Sequence, residues 1–156
     1  MVVLAGLADG LPSGRRLLAD RLAGGEALRT FREMVVAQGG DPGVVDHPER
    51  LPRAPIQRPV IADAAGMVLA IDAEAIGGAA MVLGAGRARA EDQIDPGAGL
   101  VIERKIGDVV RPGDALAAIH TSREGAVEEG RRRVRAAYTI GPGAPPRASV
   151  VYEVVA

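Results

Sequence analysis

Apolar residues recur at helical spacing in two segments of the first forty residues. The first stripe contains Leu17, Leu18 and Leu22, follows Pro12 in an early helical position, and ends before Gly24-Gly25. The second segment ends at Gly39-Gly40, which suits the residue after a helix, and one face carries Ala27, Leu28, Phe31, Met34, Val35 and Gln38. The pattern therefore predicts two helices.

The residues before and after these helices have different patterns. Leu4 and Leu7 resemble the last turns of an earlier helix, so we expect the chain to begin partway through a longer fold. Five prolines fall between positions 42 and 59, and this density predicts an extended, ordered connector without helix.

The remaining pattern alternates between short strands and helices. A helix capped by Asp72 is expected to run to about Leu83, and Thr121 or Ser122 is expected to cap another over about 123–137. We see no clear internal repeat. Predicted strands cover 60–62, 67–71, 99–106, 115–120 and 150–155, with a loop at 141–146 before the last. The fold class is α+β, with N-terminal helices followed by a mixed, mostly antiparallel C-terminal α/β domain.

The amino-acid composition argues against several classes of function. The chain has 156 residues with 2% aromatics, a net charge of −1 and no cysteine. These values argue against base stacking, an electrostatic hold on nucleic acid or membranes, and thiolate chemistry. There is no signal-peptide pattern and no long apolar run, so we expect a cytoplasmic protein without nucleic-acid or membrane partners.

Two motifs invite an anion-binding interpretation, and in both cases a structural role is favoured. The run Leu83–Arg87 has two glycines, but it fits neither dinucleotide nor P-loop spacing and lies at a helix end where carbonyls point outward. Arg131–Arg133 follow Glu128 and Glu129, which suggests i,i+4 pairs between Glu128 and Arg132 and between Glu129 and Arg133.

Histidines, serines and acidic residues offer weaker candidates. His120 ends a strand and His47 lies in the connector, each without an obvious catalytic partner. Ser122 is explained by a helix cap, and Ser13 and Ser149 have no neighbouring histidine. The loop with Glu91, Asp92 and Asp95 is more typical of turns than of a calcium site. We therefore expect no metal.

The segment Lys105–Leu116 is typical of a strand–turn–strand hairpin with glycines at its corners. Biotinyl and lipoyl carriers contain a similar half-motif, with a lysine at the hairpin tip for attachment. Lys105 is the single lysine in the chain and precedes the motif, so a carrier function is disfavoured.

In order and spacing, several segments resemble the C-terminal third of thymidine phosphorylase and pyrimidine-nucleoside phosphorylase. They are Phe31–Pro42, Gly66–Asp72, Ile76–Arg87, Ile94-Asp95, Gly99, Lys105–Asp108 and Ala118–His120. The resemblance implies residues 1–45 as the end of the family's large-domain core, 46–58 as a proline-rich connector, and 59–156 as the C-terminal domain.

The resemblance also implies a reaction, namely reversible phosphorolysis of a pyrimidine nucleoside to free base and (deoxy)ribose 1-phosphate. Inorganic phosphate is the co-substrate, no cofactor is implied, and the intact enzyme is expected to be a homodimer. The family's phosphate- and base-binding residues come from its earlier two thirds, so no catalytic, cofactor-binding or metal residue is carried over. Alternatives are a stand-alone non-catalytic interaction module and part of an AMP phosphorylase.

Overall fold

The computed structural model describes residues 1–87 and 89–145, and the predicted strand at 150–155 lies outside them. The chain divides into two units, Met1–Leu51 and the residues from Pro52 onward. In the described residues, four α-helices and two small antiparallel sheets confirm the α+β class. None of these helices combines the length and apolarity that crossing a bilayer requires.

The first unit contains two helices, α1 (Leu11–Ala23) and α2 (Glu26–Ala37), close to the predicted positions. Gly39 has a φ of +76° and its N–H donates to the Val36 carbonyl at 2.9 Å, while the Gly40 N–H donates to Val35 at 2.8 Å. These two bonds form a Schellman motif and confirm the predicted glycine stop.

One prediction for the first unit is supported and another is wrong. Residues 1–7 have the hydrogen bonds of a helix end, because the Gly6 and Leu7 N–H groups donate to the Val3 and Val2 carbonyls at 3.0 and 2.9 Å and Gly6 has a φ of +69°. Pro42–Val45 and Pro48–Arg50 are short 3-10 helices, although the proline density predicted an extended chain. Each begins with its proline, because a first helical position needs no N–H donor and favours the fixed φ of proline.

The second unit is built on two three-stranded sheets with short strands. The first has the order β1-β5-β3 and the second the order β4-β2-β6, and all pairs are antiparallel. The strands are β1 (Ile56–Ile61), β2 (Gly66–Ile71), β3 (Gly99–Ile102), β4 (Val109–Val110), β5 (Ala115–Thr121) and β6 (Tyr138–Gly141).

Strand β1 begins four residues before the predicted position and contains Pro59. It forms an edge of its sheet, where a residue without an N–H can be accommodated. Strand β3 ends at Ile102, earlier than predicted, because Glu103 and Arg104 both donate to the one carbonyl of Leu116 and the chain then turns at Lys105–Asp108.

The helices of the second unit are α3 (Ala73–Ala80) and α4 (Val127–Ala137). A π-helical turn, Met81–Ala85, extends α3, and a 3-10 turn, Glu124–Ala126, precedes α4. The buried side of α4 presents Val127, Gly130, Val134 and Ala137, spaced by three or four residues.

The core of the second unit is apolar and includes Val60, Val68, Leu83, Val110, Leu116, Ile119 and Val134, each at most 1% exposed. Tyr138 joins them, and its hydroxyl lies 3.0 Å from the Leu116 carbonyl and 3.1 Å from that of Arg104. Burial, followed by the charge of Asp108, raises the pKa of this phenol.

Candidate functional site

An open groove of about 480 Å³ lies between α3 and α4. Asp72 lies at the start of α3, where its Oδ1 accepts from the Ala75 N–H at 3.0 Å and its own N–H donates to the Ala137 carbonyl at 2.9 Å. The first bond confirms the predicted helix cap. The groove is lined by Asp72, Glu74, Ala75, Gly78, Arg132, Arg133 and Ala136.

The arginines at this groove are paired with neighbouring carboxylates. Glu129 accepts from Arg132 and Arg133 at 2.7 Å, and Glu128 accepts from Arg131 at 2.8 Å. The hydrogen bond from Arg133, then that from Arg132, lowers the pKa of Glu129. The predicted Glu129–Arg133 pair is confirmed, whereas Arg132 binds Glu129 and not Glu128. Much of the positive charge available to an anion is therefore neutralised within the helix.

The glycine-rich run ends a helix, as predicted. Gly84 has a φ of +110°, a conformation that L-residues with a side chain rarely adopt. Its carbonyl accepts from the Asp95 N–H at 2.9 Å, and the Leu83 carbonyl accepts from Thr121 Oγ1 at 2.7 Å. The run thus presents carbonyls to its neighbours, and these hydrogen bonds anchor the chain as it leaves the helix.

Thr121 is the one polar residue in the described ranges that is wholly buried. Besides donating to Leu83, its Oγ1 accepts from the Arg123 N–H at 3.0 Å. The predicted helix cap at Thr121 or Ser122 is wrong, because neither the 3-10 turn Glu124–Ala126 nor α4 has a side-chain cap, and α4 begins at Val127 rather than near residue 123. The bond to Leu83 joins residues 38 positions apart, and no local sequence signal indicates it.

The acidic residues of the 91–95 loop act in turns. Asp92 Oδ2 accepts from the Arg89 N–H, and Asp95 Oδ1 accepts from the Gly97 N–H, both at 2.9 Å. The Ser122 hydroxyl, followed by the Gly97 amide, lowers the pKa of Asp95. Residues 1–87 and 89–145 contain no cluster of three or more side chains suited to bind a metal ion.

The histidine and serine candidates lie in separate places. His120 is half-buried at the end of β5, and His47 Nδ1 lies 3.1 Å from a carboxylate oxygen of Glu49. Ser13 belongs to the cap of α1, where its hydroxyl donates to a backbone carbonyl at 3.0 Å. Ser149 lies outside the described residues. The described geometry thus gives no support to a serine–histidine arrangement.

The predicted hairpin over Lys105–Leu116 is wrong, because β4 and β5 belong to different sheets, and the segment instead contains two equivalent turns. In Lys105–Asp108 and Arg111–Asp114, the first N–H donates to the aspartate Oδ2 at 2.8 and 3.0 Å. The aspartate N–H donates back to the first carbonyl at 3.1 and 3.0 Å, and the glycines have φ of +96° and +95°. Each turn also exchanges two backbone hydrogen bonds with a residue near the β1–β2 connection, Val68 or Ala62.

No internal repeat was predicted here, although a basic residue, glycine and aspartate recur six positions apart. Gly-Asp is a turn signal, and the two copies have equivalent hydrogen bonds. Lys105 is exposed at the first position of its turn. The aspartate of that turn, Asp108, is occupied in accepting the hydrogen bond from the Lys105 backbone N–H. The repeated turns thus act as structural corners.

Comparison with known proteins identifies relatives of this second unit. Residues 67–141 match the family described as the pyrimidine nucleoside phosphorylase C-terminal domain. The chain is 46% identical over 124 residues to the pyrimidine-nucleoside phosphorylase of Staphylococcus haemolyticus (strain JCSC1435). It is 45% identical over the same length to that of Staphylococcus aureus (strain USA300).

These matches cover 80% of this chain and 29% of each relative, so the chain corresponds to less than a third of their length. The match to the domain family begins and ends within the second unit, from β2 to β6. The repeated turns, the π-helical stop and most of the buried core therefore lie in a recognised domain. On this evidence residues 67–141 contain a pyrimidine nucleoside phosphorylase C-terminal domain, and the chain is similar to the pyrimidine-nucleoside phosphorylases over 124 residues.

Proposed function

We propose that this chain serves as the C-terminal part of an enzyme that phosphorolyses pyrimidine nucleosides. In that reaction a phosphate oxygen forms a bond to the anomeric carbon while the glycosidic C–N bond breaks. The bonding electrons leave with the base, and the sugar becomes a pentose 1-phosphate. The observation that carries this proposal is the 45–46% identity to two proteins named pyrimidine-nucleoside phosphorylases.

The role proposed for the second unit is structural support for a site located elsewhere in the enzyme. Phosphorolysis requires several cationic or N–H donors directed at one phosphate. In the described residues, Arg131–Arg133 of α4 are paired with glutamates, Arg135 lies 3.6 Å from Asp63, and the aspartates at residues 108 and 114 hold turns. We infer that the chain alone does not catalyse the reaction and that it stabilises the larger part.

The intact enzyme is proposed to act as a cytoplasmic homodimer in nucleoside salvage, with phosphate as its co-substrate and no cofactor. The nucleoside is proposed to be thymidine or uridine. An AMP phosphorylase activity is the alternative, and it differs in requiring a nucleotide substrate, so a substrate comparison separates the two.

A chimera tests the proposal. In it, this chain from Leu11 onward replaces the corresponding C-terminal part of the Staphylococcus haemolyticus enzyme, joined in register through the matched residues. We expect the chimera to release base from thymidine or uridine in phosphate buffer, as followed by chromatography. We also expect no release by the 156-residue chain alone.

Two controls complete the test. The relative lacking this C-terminal part should be inactive or greatly impaired, since the replaced part is proposed to complete the fold. The chimera should leave AMP unchanged. A folded but inactive chimera would contradict the proposal and favour a stand-alone interaction module, and cleavage of AMP would favour the alternative enzyme.

A further inference from the structure

The central strand of the first sheet, β5, bonds alternately to its two neighbours, β1 and β3. Its residue Ala118 is opposite both Pro59 of β1 and Val101 of β3. Because proline has no N–H, Pro59 cannot exchange a pair of backbone hydrogen bonds with Ala118, so Ala118 bonds to Val101. The Glu103 N–H, two positions beyond Val101, donates to the Leu116 carbonyl at 2.9 Å, which agrees with this alternation.

The alternation leaves the backbone of two β3 residues directed away from β5. Bonded and unbonded positions alternate along an antiparallel strand, so Leu100 and Ile102 direct their N–H and C=O groups to the open side of β3. No other strand in the described ranges pairs with β3 on that side. The edge of β3 therefore offers backbone donors and acceptors to a further strand.

The other edge strands of the two sheets carry features that disfavour pairing with another chain. Strand β1 contains Arg58 and Pro59, β4 has only two residues, and the ladder between β6 and β2 is interrupted by a register shift. Charge, proline, short length and bulges are the usual means by which proteins protect a sheet edge. Strand β3, with the sequence Gly-Leu-Val-Ile, has no charge and no proline, and its register with β5 is regular throughout. Strand β3 is therefore the edge best suited to accept a further strand.

The exposed face of the sheet beside this edge is apolar. Val101, Ala118 and Pro59 are opposite one another on three neighbouring strands, so their side chains share one face. Val101 is 50% exposed on that face, whereas Leu100 and Ile102 pack against the core. A strand added at the edge would cover part of the Val101 side chain.

We propose that β3 pairs with β3 of a second copy of this chain, antiparallel and across a two-fold axis that passes between the two Val101 residues. In this register Leu100 of one copy and Ile102 of the other form a hydrogen-bonded pair, and the symmetry repeats that pair on the other side of the axis. The two three-stranded sheets thereby join into one continuous sheet. The inference goes beyond the proposed function and does not depend on it.

The residues of the strand favour a second copy as the occupant. Glu103, the first charged residue after β3, comes opposite Gly99 of the second copy, so no like charges face each other in the ladder. Val101 meets its own counterpart at a position without hydrogen bonds, where opposed side chains are closest and a β-branched residue packs well. The apolar row of Pro59, Ala118 and Val101 then continues into the same row of the second copy.

Charge substitutions at Val101 test the pairing in sedimentation equilibrium of the 156-residue chain. Val101→Lys and Val101→Glu each place like charges opposite each other across the axis, whereas a mixture of the two variants places opposite charges there. Val109→Lys is the matched control, because Val109 is also exposed, at 65%, but lies on β4 in the other sheet. Circular dichroism during urea unfolding checks that each variant is folded.

We expect the parent chain to form a dimer. Either Val101 variant alone should raise the dimer dissociation constant about tenfold, because the valine contact is lost and like charges oppose each other. The mixture should form a heterodimer with a dissociation constant within about threefold of the parent's. Val109→Lys should change the parent's constant less than about threefold.

Amide hydrogen exchange of the parent, followed by NMR, provides a test without substitution. The Leu100 and Ile102 amides should exchange slowly at concentrations above the dissociation constant and quickly below it. The Val101 amide, which is bonded to β5, should exchange slowly at both concentrations. This alternation of neighbouring amides is specific to a strand added at the β3 edge.

Several results would overturn the pairing. One is a parent chain that stays monomeric at about 1 mM. Another is a dimer that Val101→Lys leaves intact, or that Val109→Lys weakens equally, since its contact would lie elsewhere. Folded Val101 variants that do not associate when mixed would exclude the two-fold register. If the Val101 variants do not fold, the amides decide, and exchange at Leu100 and Ile102 that is independent of concentration contradicts the pairing.

Discussion

The two units of this chain use similar side chains in opposite ways. Leu83 in the second unit is fully buried in the apolar core, whereas Leu22 in the first unit is 70% exposed. Both lie near the end of a helix that stops at glycine. A periodic apolar pattern thus predicts a helix in both places, but it does not tell whether the chain itself supplies the covering surface.

A leucine-to-alanine substitution in each unit should give the largest difference in the free energy of unfolding. We expect Leu83→Ala to lower the free energy of unfolding by about 2–5 kcal/mol, since it opens a cavity in a closed core. Leu22→Ala should change it by at most about 0.5 kcal/mol in the 156-residue chain. Urea titrations followed by circular dichroism measure both, and equal losses would remove the distinction between the units.

Buried and exposed threonines provide the next comparison. Thr121→Val leaves the Leu83 carbonyl and the Arg123 N–H without their side-chain partner, at an expected cost of about 1–3 kcal/mol. Thr30→Val removes a 3.1 Å bond to the Glu26 carbonyl on an exposed helix. That variant should stay within about 0.5 kcal/mol of the parent in the same titration. A Thr121→Val variant as stable as the parent would show that the buried bond is unimportant.

Two helical glycines sharpen the comparison within the second unit. A Cβ at Gly130 would lie 2.8 Å from Leu83 Cδ2, so Gly130→Ala should overpack the core and cost about 1–3 kcal/mol. A Cβ at Gly77 meets nothing within 4 Å, so Gly77→Ala should stabilise α3 by about 0.5–1 kcal/mol. The midpoint of thermal unfolding should fall for Gly130→Ala and rise for Gly77→Ala. Midpoints that shift in the same direction would contradict the close packing of α4.

The smallest expected effect concerns acid sensitivity. The pKa of Asp95 is lowered below its ordinary value of 3.8, chiefly by the Ser122 hydroxyl. The carboxylate therefore contributes stability above pH 3.8, and this contribution disappears as the pH falls through the lower folded-state pKa. Asp95→Asn should be less stable than the parent at neutral pH, and the difference should vanish in acid. A difference that persists in acid would assign the effect to packing.

Local signals predicted the elements that depend on neighbouring residues. The glycine stops of α1 and α2, the Asp72 cap and the pairing of Glu129 with Arg133 all involve residues within about one helical turn. The apolar pattern also placed β2 and β5 nearly correctly.

The remaining features depend on contacts between distant residues. The early start of β1 follows from its pairing with β5, and Thr121 reaches the Leu83 carbonyl across 38 positions. The 3-10 helices at Pro42–Val45 and Pro48–Arg50 were not predicted, because proline is compatible with the start of a short helix as well as with an extended chain. In the candidate site, the neutralising role of Glu129 was predictable, but the groove depends on how α3 and α4 pack together.

Hydrogen exchange of backbone amides, read by mass spectrometry, tests the central difference most directly. In the 156-residue chain we expect slow exchange in β5 and α4, and fast exchange throughout α1 and α2, because the first unit has no buried apolar core. In the active chimera the same two helices should become protected. If α1 and α2 exchange as slowly as β5 in the 156-residue chain, this account is contradicted.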